Sequence, residues 1–295
     1  MSRVVTIANG TASASIDSLG AQLMSLALAG SEYLWQGDPR WWAKRAPILF
    51  PIVGSLRGGC AVSTQGEISL GRHGFARDLV HEVVAQDESS VTFEIRDTPQ
   101  TREKFPYAFR LNMTYALTGE TSLTQTFRVE NTGDVTLPFS VGGHPAFNVP
   151  APGTANERFA DYEIAFTEPW TCEAPKIAEG GLLTYDTAAL AVDHSDAMPL
   201  THELFADDAV MLTDVPGGTL TLRSRVSGHG VRIDFADFKY IGIWSALGDA
   251  PFVALEPWTG HATLTSEDDV FEHKRDITLL EPGAVDERSF TVSLL

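Results

Sequence analysis

Two histidines and one glutamate occupy places in this chain from which protons can be moved. His73 lies in Arg72-His73-Gly74-Phe75-Ala76-Arg77-Asp78, and His144 lies in Val141-Gly142-Gly143-His144-Pro145-Ala146-Phe147-Asn148. An imidazole titrates near neutral pH, and adjacent glycines allow a ligand close to the backbone. Glu256 follows the apolar run Phe252-Val253-Ala254-Leu255 and precedes Pro257-Trp258. Withdrawal from water disfavours a carboxylate, so its pKa is expected to rise towards the working range of a general base. The indole of Trp258 offers a flat face to the C–H face of a sugar. Together these residues suggest acid/base chemistry on a carbohydrate.

Each candidate also has a plainer reading. His73 could be a hydrogen-bonded loop residue, and Glu256 a rim carboxylate paired with an arginine. In Leu204-Phe205-Ala206-Asp207-Asp208-Ala209-Val210, one aspartate could accept bonds from sugar hydroxyls, or both could serve the turn. His81 reads as part of a strand, and His261 stands close enough to Trp258 to support the site from behind. His194, His202, His229 and His273 read as solvated. No His-x-His or His-Glu-x-x-His spacing occurs, so no catalytic metal is expected. Cys60 and Cys172 are far apart and predict neither a disulfide nor a thiolate site. Serine-hydrolase, P-loop and dinucleotide-binding motifs do not occur.

The elements that must position these groups are short strands. From Phe109 to Leu117 the odd positions are apolar, the turn Thr118-Gly119-Glu120-Thr121 follows, and alternation resumes through Leu123, Phe127 and Val129. That pattern predicts a hairpin with one buried face. Similar runs occur at 91–96, 162–166, 219–223, 231–235, 240–244, 252–256 and 289–294. No segment sustains a helical period; Ser266 to Asp276 comes nearest and predicts at most a short surface helix. Two prolines in Ala46 to Gly54 exclude a central strand there and suggest an apolar connector beneath a site. The expected fold is all-β, a large antiparallel β-sandwich forming a single domain over residues 1–295.

With 39 acidic against 21 basic residues the net charge is −18, the wrong sign for nucleic acid or an anionic membrane surface. No apolar run is long enough to span a bilayer, and the N-terminus reads as a strand and a turn, so a cytoplasmic protein is expected. Between Arg40 and Arg77 the balance reverses: Arg40, Lys44, Arg45, Arg57, Arg72 and Arg77 face the single acid Glu67. This cluster is either a solvated face or a pocket rim that tolerates a sugar phosphate.

Read in order, Ala46–Gly54 (APILFPIVG), His73–Asp78 (HGFARD), Gly143–Asn148 (GHPAFN), Phe205–Val210 (FADDAV), Tyr240–Trp244 (YIGIW) and Ala254–Trp258 (ALEPW) resemble the aldose 1-epimerase (galactose mutarotase) superfamily. The resemblance is to its bacterial lactose-operon epimerase-like branch. It implies a galactose mutarotase-like supersandwich, with Glu256 as general base, His144 as general acid and His73 as a second histidine lining the site. Asp208 matches the substrate-binding aspartate, with Asp207 as the other possibility, and Trp258 belongs to the same segment as Glu256. Relatives place an arginine after the glycine of FPIVG, where this chain has Ser55; Arg45, Arg57 or Arg77 is then expected to replace it.

The activity implied is interconversion of the α and β anomers of a free aldohexose without a cofactor. The partner is a small-molecule sugar, and both monomer and homodimer stay open. HGFAR is shared with hexose-6-phosphate 1-epimerases, which keeps a phosphosugar as an alternative. A non-catalytic sugar sensor would use Trp258 and Asp208 equally well. A glycosidase would need two opposed carboxylates, and only Glu256 stands in a strong context.

Overall fold

The computed structural model describes residues 2–154 and 156–295. Its largest sheet has nine antiparallel strands in the order Leu183–Pro199, Tyr162–Ile177, Thr219–Ser224, Gly230–Asp234, Val285–Leu294, Ser122–Glu130, Arg110–Leu117, Ser90–Arg96 and Glu82–Gln86. The predicted hairpin is present: Leu111 pairs with Val129 and Met113 with Phe127, and all four side chains are fully buried. Alternation sends their polar neighbours to the other face, so this sheet contributes one apolar surface to the core. A four-stranded sheet formed by Val4–Ala8, Ala12–Asp17, Gln22–Leu28 and Ser31–Glu32 packs into the same hydrophobic cluster.

The sheet that carries the chemistry is different. Val210–Thr213, Tyr240–Trp244, Phe252–Trp258, Gly142–Gly143 and Ile48–Leu49 follow one another across it, and Ala146–Asn148 also pairs with Phe252–Trp258. Every residue of Phe252–Trp258 is buried. Val253 and Leu255, with Ile241 and Ile243 of the neighbouring strand, enter the main core. Phe252, Ala254, Glu256 and Trp258 project from the opposite face, since side chains alternate along a strand. Architecture and burial agree with the sandwich expected from alternation.

Three local expectations need correction. The segment Ser266 to Asp276 holds only the 3₁₀ turn Phe271–His273, with Phe271 and Lys274 buried rather than carried on a surface helix. Lys274 Nζ donates to Thr263 Oγ1 at 3.0 Å and pairs with Glu267 at 3.5 Å, which explains a charged sequence turned inward. His81 is buried outside any strand, with Nε2 2.9 Å from the Ala76 carbonyl. His202 stacks on Phe159 at 3.9 Å instead of standing free in solvent. Ile48–Leu49 forms only a two-residue strand at the end of its sheet, as the prolines around it require.

Candidate active site

One cavity of about 290 Å³ opens on the exposed side of the six-stranded sheet, and Glu256, His144, His73, Asp208, Arg77 and Trp258 all line it. Register explains its floor. Trp258 pairs with Gly142 on one neighbouring strand and with Tyr240 on the other, while Glu256 pairs with Gly242. A Cβ on Gly142 would lie 2.6 Å from Trp258 Cδ1, and one on Gly242 would lie 2.5 Å from Cη2 of the same ring. The indole therefore spreads across the sheet over two glycines that leave room for it. Its Nε1 has no hydrogen-bond partner among the described residues.

His144 follows the strand Gly142–Gly143, and its backbone N–H donates to the Pro47 carbonyl at 3.1 Å. Pro145 then passes the chain on to the strand Ala146–Asn148. This path brings His144 Nε2 to 3.2 Å from Glu256 Oε2. Glu256 is 2% exposed and His144 9%, so the contact lies in a nearly dry part of the cavity.

Burial dominates the protonation of both groups. It holds the Glu256 carboxyl well above the usual carboxylate range, Asp208 reinforces the rise, and Arg72 opposes it. Burial pushes the His144 imidazole down to about 3, with Arg77, Lys44 and Arg72 adding to the fall. Burial thus favours the uncharged form of each partner, a carboxyl group facing an imidazole at 3.2 Å. His144 Nδ1 has no hydrogen-bond partner among the described residues.

His73 enters from the loop that packs against Phe50–Gly54. Its N–H donates to the Gly54 carbonyl at 2.7 Å, and its Nδ1 accepts the Gly54 N–H at 3.1 Å. That second bond places the ring proton of the neutral imidazole on Nε2, so His73 is a donor. Burial, then His144 and the nearby cations, holds its pKa well below the ordinary value. The loop is tight enough that a Cβ on Gly74 would sit 2.2 Å from the Phe50 carbonyl oxygen. His73 has φ of +67° and Asp208 has φ of +82°, a left-handed region that non-glycine residues enter at a cost. Both strained residues face the cavity.

Local sequence left Asp207 and Asp208 undecided, and geometry separates them. Asp208 lines the cavity with Oδ2 3.5 Å from Arg72 Nη1. Asp207 points outward and pairs with Lys176 at 2.8 Å.

Of the three arginines expected to stand in for the one that Ser55 replaces, two lie away from the cavity and one lines it. Arg45 Nη1 donates to the Met24 carbonyl at 2.5 Å and to Gln36 Oε1 at 2.9 Å, and the residue does not line the cavity. Arg57 is tied to Asp269 at 2.9 Å and to three carbonyls of the 264–267 loop. Arg77 does line the cavity, with Nη2 donating to the Arg72 carbonyl at 2.6 Å. The guanidinium beside Ser55 belongs to Arg72, whose Nε lies 3.3 Å from Ser55 Oγ.

Two further cavity residues, Trp42 and Trp244, had no assigned role in the sequence, and Lys44 joins them from the basic cluster between Arg40 and Arg77. The signal for Trp42 was present in Trp35-Gln36-Gly37-Asp38-Pro39-Arg40-Trp41-Trp42, which places three tryptophans within eight residues. His261, expected behind the site, is buried, bonds the Ala262 carbonyl through Nδ1 at 2.7 Å, and stays out of the cavity.

The aldose 1-epimerase family profile matches residues 3–274. Protein LacX (plasmid) of Lactococcus lactis subsp. lactis is 37% identical over 285 residues, covering 94% of each chain. Among solved structures, the galactose mutarotase related enzyme of Lactobacillus acidophilus superposes with a TM-score of 0.93 at 31% identity, over 99% of this chain and 97% of that one. A galactose mutarotase-like protein of Lactobacillus casei ATCC 334 gives 0.89 at 30% identity, over 99% and 100%. On this evidence the chain belongs to the aldose 1-epimerase family.

Proposed function

We propose that the protein interconverts the α and β anomers of a free aldohexose by opening and closing the pyranose ring. The observation that carries this reading is the 3.2 Å contact between His144 Nε2 and Glu256 Oε2 on a buried floor. The anomeric hydroxyl and the ring oxygen are bonded to one carbon, so an acid and a base that touch each other can reach both. The reactive form has His144 protonated and Glu256 ionised. Glu256 then accepts the anomeric hydroxyl proton as His144 protonates the ring oxygen, and the C1–O5 bond breaks to leave the open-chain aldehyde. Rotation about C1–C2 presents the other face of the carbonyl. The ring oxygen returns its proton to His144 as it attacks, and Glu256 protonates the new hydroxyl, so the pair ends as it began.

His73 and Asp208 hold hydroxyls while the chain is open, and Trp258 supports the sugar's apolar face. Such positioning lowers the entropic part of the barrier. Each positioned proton-transfer group contributes about 10²–10⁴-fold. Because the uncatalysed reaction already runs in water, these groups suffice without a cofactor.

A second reading rests on the rim. Lys44, Arg72 and Arg77 line one cavity in a chain whose net charge is −18. Asp208 is the single rim acid among the lining residues, and burial disfavours a charge on Glu256. A hexose 6-phosphate would meet those cations with its reducing end on the floor. The test is polarimetric or NMR anomer exchange across free and 6-phosphorylated aldohexoses. Acceleration of a free hexose supports the first reading and preference for the phosphorylated form supports the second. Saturable binding with unchanged exchange would leave a sugar sensor.

A further inference from the structure

His144 is the last ring of a four-ring stack. Trp35 lies on Phe252 with centroids 4.8 Å apart and planes 28° apart, and Phe252 lies near Trp42 at 5.9 Å and 25°. Trp42 lies on His144 at 4.7 Å and 24°. Trp244 closes the edge, meeting Trp42 at 5.4 Å and His144 at 5.6 Å with near-perpendicular planes. Phe252 is anchored in the fully buried strand that also carries Glu256. The Trp42 loop is fixed from two sides: Trp35 Nε1 donates to the Trp42 carbonyl at 2.9 Å, and the Trp42 N–H donates to the Asp38 carbonyl at 3.0 Å. The same central strand thus supplies the carboxylate directly and sets the imidazole through the stack.

We propose that Trp42 is a positioning residue for His144, holding the imidazole plane in line with Glu256 and keeping water from the ring face it covers. This inference rests on the reading of His144 as the acid. A ring free to rotate about its Cβ–Cγ bond would present Nε2 to Glu256 for only part of the time, and proton transfer requires alignment as well as proximity. The indole also presents an electron-rich face to the imidazole, which favours the imidazolium of the reactive form. The imidazole also meets Glu256 at Nε2, 3.2 Å away, and His73 edge-on, with centroids 6.0 Å apart. Arg77, Lys44 and Arg72 act on it from the rim. Those cations oppose a charge on His144, whereas the stacked indole favours one.

The test compares Trp42→Phe and Trp42→Ala. Phenylalanine keeps a ring to stack on, and we expect its kcat within about threefold of the parent and its His144 titration unmoved. Alanine lets water reach the imidazole. Because burial is the largest influence on that ring, its titration and the acid limb of the rate profile should both move up towards 6.5. In the alanine variant kcat should fall about tenfold or more with KM changed less than threefold, the pattern of a misaligned acid.

The imidazole titration is followed by NMR, with the His144 resonance assigned through His144→Asn, and needs no sugar. If the parent exchanges no anomers, the proposed function fails while the positioning role is still judged on that titration. An unmoved titration in the alanine variant would overturn the inference. A loss confined to KM would do the same, as would equal losses in both variants.

Discussion

The nine-stranded and six-stranded sheets bury similar side chains and do different things with them. In the nine-stranded sheet, Arg110–Leu117 and Ser122–Glu130 alternate between buried and partly exposed positions, so one face meets the core and the other water. In the six-stranded sheet, Phe252–Trp258 is buried along its whole length. One of its faces packs into the core and the other builds a cavity. A strand buried on both faces can hold a carboxyl group in a low dielectric without loop motion, which the proposed chemistry uses. The first sheet supplies stability, and the second uses some of that stability to keep Glu256 and His144 away from water.

Substitutions in the two sheets should separate these roles. The largest effect is expected in the catalytic pair: Glu256→Gln or His144→Asn should reduce anomer exchange by about 10³-fold or more, as each removes a positioned proton carrier. Melting curves should remain cooperative. The matching change in the other sheet, Phe127→Ala, removes a fully buried ring. It should cost about 3–5 kcal/mol in denaturant titration and leave kcat/KM of the folded protein unchanged. A comparable loss of catalysis in that variant would erase the distinction between the sheets.

A smaller effect is expected at Gly242→Ala, where the new methyl would press on the Trp258 ring. Overpacking of this kind costs about 1–3 kcal/mol, and KM should rise as the indole is displaced into the cavity. The smallest contrast is on the rim. Arg72→Ala should raise KM with little change in stability, whereas Arg45→Ala should leave KM unchanged because its guanidinium bonds Met24 and Gln36 away from the cavity. Reversal of those two outcomes would restore Arg45 as the sugar-binding arginine.

The pH dependence of stability has a definite sign. The folded-state pKa of Glu256 is raised, so the native state loses stability as pH climbs above the ordinary carboxylate value. The His144 pKa is depressed, so stability also falls as pH drops below the ordinary imidazole value towards about 3. Glu256→Gln should therefore gain on the parent protein as pH rises through the neutral range, measured by thermal melts in matched buffers.

The contrast between the sheets also decided what the sequence disclosed. Alternation revealed the hairpin around Thr118–Thr121 because one face of it meets water. It revealed only the first few residues of the long hairpin formed by Tyr162–Ile177 and Leu183–Pro199. Register shifts near Trp170 and Cys172 break the period there. The floor of the site was legible through chemistry instead: a glutamate among apolar residues and a histidine after two glycines are conspicuous in either context.

The rim was the harder part. Which arginine stands beside Ser55 depends on how the loops at 54–57 and 71–77 approach each other, and spacing along the chain carries no record of that. Asp207 and Asp208 were equivalent in sequence because a left-handed backbone at one of them sends neighbouring side chains in different directions. Trp42 was visible as a tryptophan, but its alignment with Trp35, Phe252 and His144 exists only after folding.

Glu256 and His144 lie 3.2 Å apart in a dry site, where burial favours the uncharged carboxyl group at rest. Infrared difference spectroscopy of the parent protein against Glu256→Gln at neutral pH tests it directly. A carboxylic-acid carbonyl stretch present in the parent and lost in the variant is the predicted result. A carboxylate band in its place would show Glu256 ionised at rest and contradict it.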